Sequence, residues 1–317
     1  MKKHYTSSFG VEWSNYSDVQ LDSQKKYDWN ISASRLELVL GFPLEFLLNK
    51  KVIEIGCGPG RFSEILKKYC KELTVVDSSD AIEHNLAIHD KNVFSYQIDF
   101  TNPTFVEQNK NKFDVVFCRG VIQHTEDSSK AILSLFKFAK ISPKGLVIFD
   151  VYPRRKSNFY YFFTDFKYFW RRVLPKVIKV EKFVKILNNN LDQLNKAHSI
   201  CQKLRNNFLI KILLKFFPFI NIIIMPDFLR DHPGISDKKY QSRLIASLLV
   251  DSIYSYYDNP MSMKEVNYIL ANIGQNYYSV DSNRCIVRCK RNESFIACNF
   301  DESKNGIRLI KSNNENF

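Results

Sequence analysis

The basic start Met1-Lys-Lys-His-Tyr-Thr-Ser-Ser has no apolar stretch behind it, so a secretory leader is not expected and a cytoplasmic location is. A disulfide framework is missing too. The seven cysteines, at 57, 70, 118, 201, 285, 289 and 298, are scattered and odd in number, which suits a reducing compartment. The closest pair, Cys285-x-x-x-Cys289, has no second pair at zinc-ligand spacing, so the two are read as thiols on one face of a strand and no metal is expected. No internal repeat is found. Residues 208–225 come nearest to a membrane span, with fourteen apolar residues of eighteen. Lys211, Lys215 and Asn221 interrupt that run, and Pro218 would break a helix at its centre. Acidic residues are scarce in one quarter of the chain: residues 151–230 hold 16 Lys/Arg against 4 Asp/Glu, nearly all of the net charge of +13.

What is present is ample for an α/β domain with an insertion, at 317 residues and 37.2 kDa. Apolar runs at 51–56, 73–77, 113–118 and 146–149, with a further strand ending at Asp99, alternate with amphipathic helices at 61–70, 80–89 and 128–140. The runs are too continuous for a sheet with one wet face, so a parallel sheet covered on both faces is expected. Past Tyr152 the alternation stops, and residues 154–250 read as a basic, Phe/Tyr-rich, mostly helical segment. A capping box at Ser262-Met-Lys-Glu265 opens a further helix, short strands follow near 277–281 and 284–290, and the Asn/Ser-rich residues 300–317 have little to bury.

The chain is organised around Val52-Ile-Glu54-Ile-Gly56-Cys57-Gly58-Pro-Gly60-Arg61-Phe62, which reads as strand, glycine turn, helix. Glycines there let a ligand approach the backbone, and the following helix would present N–H groups. Arg61 stands where a dinucleotide fold wants a third small residue, which disfavours NAD, and no Gly-Lys-Ser/Thr follows, which excludes a nucleoside-triphosphate loop.

Glu54-x-Gly56-x-Gly58-x-Gly60, followed by an acid ending the next strand, resembles motif I of the class I S-adenosylmethionine (SAM) methyltransferases. Arg119-Gly120-Val-Ile-Gln123-His124-Thr-Glu-Asp127 resembles the family's turn after the fourth strand, with Gln123 in place of the first histidine of a pair. Ser142-Pro-Lys-Gly145 resembles its turn into the fifth. Phe9–Asp22 and Tyr256–Val266 resemble outer segments of a bacterial subfamily with an aromatic N-terminal cap and a helical insertion after the fifth strand. The resemblance implies a Rossmann-like, mostly parallel seven-stranded sheet of order 3-2-1-4-5-7-6. Its expected parts are a cap at 1–35, a SAM-binding domain at 36–153 plus 258–291, an insertion at 154–257 and a loose C-terminal tail at 292–317.

It also implies site roles. Asp77, with Ser78, would hold the ribose hydroxyls; Asp99 and Phe100 would meet the adenine; Glu54, Gly56, Cys57, Gly58, Gly60, Arg119 and Gly120 would complete the cofactor site. Asp77 could instead cap the following helix, and Glu54 could serve only local N–H groups. Methyl transfer is an in-line displacement that needs aligned partners more than catalytic groups. His124, after the fourth strand, is the candidate base or substrate-positioning residue. Tyr5, Trp13, Tyr16 and Tyr152 are candidate acceptor-pocket residues. The expected acceptor is a small molecule or a lipid-linked one, of glycan or quinone type. For the insertion two readings stay open, a buried helix pair over the active site and a basic, aromatic surface on an anionic membrane, with the protein then peripheral on its inner face. A noncatalytic SAM-fold binding protein and an RNA methyltransferase remain as alternatives, although no RNA-binding module is recognisable. Oligomeric state is not legible.

Overall fold

The computed structural model describes residues 6–24, 31–141, 145–154, 160, 163–230, 235, 237–274, 277–281, 285–291 and 307–311. The chain forms two compact units. One joins residues 29–154 to 257–317, and the other joins 1–28 to 155–256.

The first unit is a mixed α/β, mostly parallel sheet. Its strands are β1 Lys51–Ile55, β2 Glu72–Asp77, β3 Val93–Gln97, β4 Val115–Cys118, β5 Leu146–Asp150, β6 Tyr277–Asp281, β7 Ile286–Lys290 and β8 Ile307–Lys311. They lie in the order β3-β2-β1-β4-β5-β7-β6-β8. The first five are parallel, with Val52 opposite Leu73 and Val115 and with Val116 opposite Val147, and β7, β6 and β8 add antiparallel. The count among the described residues is eight where seven were expected. The extra strand, β8, comes from the stretch read as a loose tail: its backbone pairs with β6 from Ile307 to Lys311, an Ile-Arg-Leu-Ile-Lys run inside the Asn/Ser-rich composition that suggested disorder.

Side-chain alternation sends Ile53, Ile55, Val116, Val147 and Phe149 to one face, under helices Pro103–Gln108, Ser128–Phe138 and Met263–Asn272. Val52, Val75, Val115, Phe117 and Ile148 go to the other, under Ile31–Leu40 and Ser63–Tyr69. The helix expected over 80–89 is two short 3₁₀ turns, Asp80–His84 and Leu86–His89. Ser79 and Asn85 each accept a backbone N–H two residues on, which stops a longer helix from forming. β3 ends at Gln97, two residues before Asp99.

The second unit is helical: Ser7–Tyr16, Phe166–Val177, Val180–Asn189, Leu191–Asn206, Phe208–Phe216 and Lys238–Tyr254. Its own core contains Tyr16, Val19, Phe183, Leu187, Leu244 and Val250. Polar contacts clip the N-terminal segment to helix Lys238–Tyr254. The Ser247 hydroxyl donates to Glu12 Oε1 at 2.7 Å, Arg243 grips Asp18 and the Asn15 carbonyl, and the Tyr240 hydroxyl donates to the Val19 carbonyl.

Candidate functional site

The carboxyl ends of β1 and β2 are tied into one cradle. The chain leaves β1 at Gly56 with φ +71°, a conformation a side chain resists, and a Cβ there would run into Val121. Gly56 N–H donates to the Val76 carbonyl at 2.7 Å, and Gly60 N–H to the Cys57 carbonyl at 3.0 Å. Asp77, ending β2, takes the Gly58 N–H on Oδ2 at 2.8 Å and the Ser79 N–H and hydroxyl on Oδ1 at 2.8 and 2.7 Å. Burial raises its pKa, and the Ser79 and Gly58 hydrogen bonds oppose the rise. The carboxylate is therefore both a clasp on the glycine turn and a cap on the turn after β2, with most of its acceptor capacity in use. The helix that follows starts only at Ser63 and has seven residues, so bare loop backbone, more than a long helix end, makes the cradle.

Under the cradle lies a buried polar chain. Ser63 Oγ donates to Glu54 Oε2 at 2.6 Å and accepts from Asn85 Nδ2 at 2.9 Å. Burial pushes the Glu54 carboxyl up to about 8 from 4.5, against the Ser63 hydrogen bond and with help from nearby Asp77. Cys57 is buried beside them, and burial raises its thiol well above the ordinary value. Arg61 donates to Ser32 Oγ at 3.1 Å and lies over the Phe62 ring. Asp99 makes a local turn, accepting from the Thr101 N–H and hydroxyl, while Phe100 is buried in the core behind it.

A second cluster sits at the carboxyl ends of β4 and β5. Asp150, which sequence reasoning missed, ends β5 and accepts the Gly120 N–H at 2.6 Å. Burial raises its pKa, and Arg119, the Gly120 N–H and His124 hold the rise back. The signal was available: Phe149-Asp150 closes an apolar strand with an acid just as Val76-Asp77 does. His124 is buried, with Nδ1 2.9 Å from the Tyr257 carbonyl and its ring edge-on to Tyr152. A carbonyl only accepts, so Nδ1 carries the proton and Nε2 is the basic nitrogen. The 122–125 turn is further laced to the distant segment 257–259, since Asn259 donates from its backbone to the Gln123 carbonyl and from its side chain to the Thr125 carbonyl. The Gln123 side chain is wholly buried, and neither its nitrogen nor its oxygen finds a hydrogen-bond partner among the described residues.

Residues 30–180 match a family model described as a methyltransferase domain. That match takes in just under half of the chain's 317 residues. Curated relatives include the ubiquinone biosynthesis O-methyltransferase of Pseudomonas fluorescens strain Pf0-1, 27% identical over 143 residues that cover 44% of this chain and 60% of the relative. That of Alkalilimnicola ehrlichii is 25% identical over 175 residues, covering 55% and 68%. The chain thus spans about 60% of the length of the first of these relatives. Among solved structures, the N-methyltransferase NodS of Bradyrhizobium japonicum WM9, in complex with S-adenosyl-L-homocysteine, is 22% identical, with a TM-score of 0.34 over 45% of this chain and 74% of that one.

Glu54, Gly56, Cys57, Gly58, Gly60, Asp77, Ser78, Asp99, Phe100, Arg119, Gly120, His124 and Tyr152 all belong to the compact unit that holds most of the residues matching that family model. Trp13 and Tyr16 belong to the helical unit. Tyr16 is 0% exposed and its hydroxyl donates to Asn188 Oδ1 at 3.0 Å, so it is a core residue with no surface left to line a pocket. Tyr5 and the 142–144 turn lie outside the described residues. Among those described, no group of three or more His, Cys, Asp or Glu is placed to hold a metal ion.

Proposed function

We propose that the methyltransferase domain binds SAM in the glycine cradle and transfers its methyl group to a hydroxyl on a small-molecule or lipid-linked acceptor, of quinone type before glycan. The observation that carries this is the clasp between Gly58 N–H and Asp77, which sets a carboxylate beside bare glycine backbone at the carboxyl edge of β1 and β2, where open α/β sheets bind ligands. The cradle fits the group on its own terms. Gly56 adds no side chain of its own and lets Val121 close against the turn, and Asp77 accepts a ribose hydroxyl by giving up the Ser79 hydroxyl while its backbone donors stay. Ser78, Asp99 and Phe100 would flank the nucleoside, and Glu54, Cys57, Gly60, Arg119 and Gly120 would bound the site.

Bound SAM supplies an electrophilic methyl on a sulfonium, which leaves as a neutral thioether. The chain's own work is alignment and proton removal. With Nδ1–H donated to the Tyr257 carbonyl, His124 takes the acceptor's hydroxyl proton on Nε2, and Asp150 lies close enough to favour the imidazolium. Tyr152, edge-on to the ring, helps to hold it. Acceptor selection is assigned to the helical unit and its basic segment, together with peripheral contact on an anionic membrane at the cytoplasmic face. The names of the curated relatives support the quinone-type acceptor.

Calorimetric titration with SAM and with its demethylated product tests the core of the reading. Tight binding that Asp77→Ala weakens is expected; no binding by either protein sinks it. Binding without transfer of labelled methyl to any quinone-type phenol would leave a noncatalytic SAM-fold protein.

A further inference from the structure

Helix Phe208–Phe216 differs from the other long helices of its unit in having no buried residue at all. The buried-helix reading of this stretch therefore fails. Phe208, Leu209, Phe216, Phe217, Phe219 and Ile223 are between 47% and 74% exposed, so nearly the whole outer surface of this tip is large and apolar. Soluble monomers rarely leave so continuous a patch in water.

The tip is nevertheless a built element. Asn207 caps the helix by accepting the Leu209 and Ile210 N–H groups. Pro218 ends it and starts the 3₁₀ turn Pro218–Ile222. Three side chains from the body of the unit then hold the returning strand of chain. Arg205 donates to the Met225 and Ile224 carbonyls at 2.8 and 2.6 Å, Gln202 to the Pro226 carbonyl at 3.0 Å, and Trp170 to the Ile222 carbonyl at 2.8 Å. Polar bonds fix the inner side, and the apolar side chains point outward.

Charge selects the occupant. Residues 193–226 contain Lys196, Lys203, Arg205, Lys211 and Lys215 and no acid. Lys211 and Lys215 are exposed and one helical turn apart, so they share an edge of the helix beside its apolar surface. Aliphatic lysine stems beside exposed Phe and Leu suit a phosphate-bearing interface. A nine-residue helix is about 14 Å long, too short for the ~30 Å hydrocarbon core of a bilayer, and among the described residues no helix is long and apolar enough to cross a membrane.

We propose that residues 208–223 form a membrane-inserting tip, which lies in the head-group region of an anionic bilayer with its Phe and Leu side chains in the acyl boundary and Lys211 and Lys215 on lipid phosphates. This rests on the membrane contact put forward above and gives it an element and a depth. It brings a lipid-linked acceptor and this chain to the same surface.

The test is flotation of the full chain with phosphatidylcholine vesicles, with and without phosphatidylglycerol, beside SAM titration of each protein. The wild type should float with the anionic vesicles and keep part of its binding in high salt, because burial of apolar groups is not screened. Phe208→Ser/Phe216→Ser/Phe219→Ser should partition at least about tenfold less and lose the remainder to salt. Lys211→Gln/Lys215→Gln should weaken binding only at low salt. All three replaced phenylalanines are mostly exposed, and far-UV circular dichroism checks the fold, with the single change Phe216→Glu as a milder second variant. A wild type that ignores anionic vesicles overturns the proposal, as does a triple variant that binds like the wild type. So does a concentration-dependent dimer, seen by light scattering, that the triple variant dissolves while vesicles bind neither. Flotation without SAM binding would instead remove the methyl-transfer reading and leave the tip standing.

Discussion

Glu54 occupies a position in β1 where neighbouring strands carry apolar groups, and it is held there as a neutral acid. Its pKa of about 8, against an ordinary 4.5, means that the folded chain keeps a proton the unfolded chain loses. Between those values the unfolded state binds fewer protons, so stability falls as pH rises from about 4.5 to about 8 and levels off above. Glu54→Gln keeps an oxygen for the Ser63 hydroxyl and removes the titration. Thermal unfolding at pH 5, 6.5 and 8 should show the variant melting above the wild type at pH 8, with the gap closing towards pH 5; parallel curves would mean that the carboxyl is not buried neutral. Asp77 and Asp150 are shifted in the same direction by burial, and comparing variant with wild type cancels their share. Gln123 is the opposite case, a buried amide with no partner found for either end. An unsatisfied buried group costs about 1–3 kcal/mol. Gln123→Met should therefore raise the urea midpoint, by about 1 kcal/mol of stability, and any loss of turnover that comes with it would show the amide is reserved for a ligand.

At the scale of loops and strands, the glycine turn and the turn after β4 are mutually dependent, because Val121 fills the space next to Gly56. Gly56→Ala meets two penalties: a left-handed backbone, at about 1–2 kcal/mol, and the Val121 side chain. Adding Val121→Ala removes only the second. The double variant should regain part of the stability lost by the single one, while SAM affinity stays low in both as long as the turn is distorted; equal melting temperatures would separate the two loops. β1, β2, β4 and β5 were legible because buried parallel strands write continuous apolar runs, and the cradle was legible because few residues tolerate its backbone. Asp150 was overlooked although it repeats the pattern of Asp77. The brace on His124 could not be read, since its partner carbonyl is 133 residues away and a backbone oxygen has no sequence signature. The two 3₁₀ turns after β2 escaped for a subtler reason: their apolar spacing imitates a helix, and only the cap side chains of Ser79 and Asn85 decide against it.

At the scale of the whole chain, residues 1–28 and 155–256 form one helical unit although more than a hundred residues separate them, and the chain passes between units three times. Irregular aromatic spacing hid this, because Tyr16 and Val19 find their partners, Leu244 and Val250 among them, only in three dimensions. Each unit has its own buried cluster, so each should have its own thermal transition. Leu244 is fully buried in the helical unit, and Leu244→Ala should cost about 2–5 kcal/mol there. SAM, if it binds only the folded cradle, should stabilise the other unit, by about 2.7 kcal/mol at a hundred times its Kd. Differential scanning calorimetry distinguishes the cases. Independent units predict that Leu244→Ala lowers one transition and SAM raises the other, whereas a single transition moved by both would show that the two units unfold as one. In that second case a change in the helical unit would alter SAM affinity without touching the cradle, and the two units could not be engineered apart.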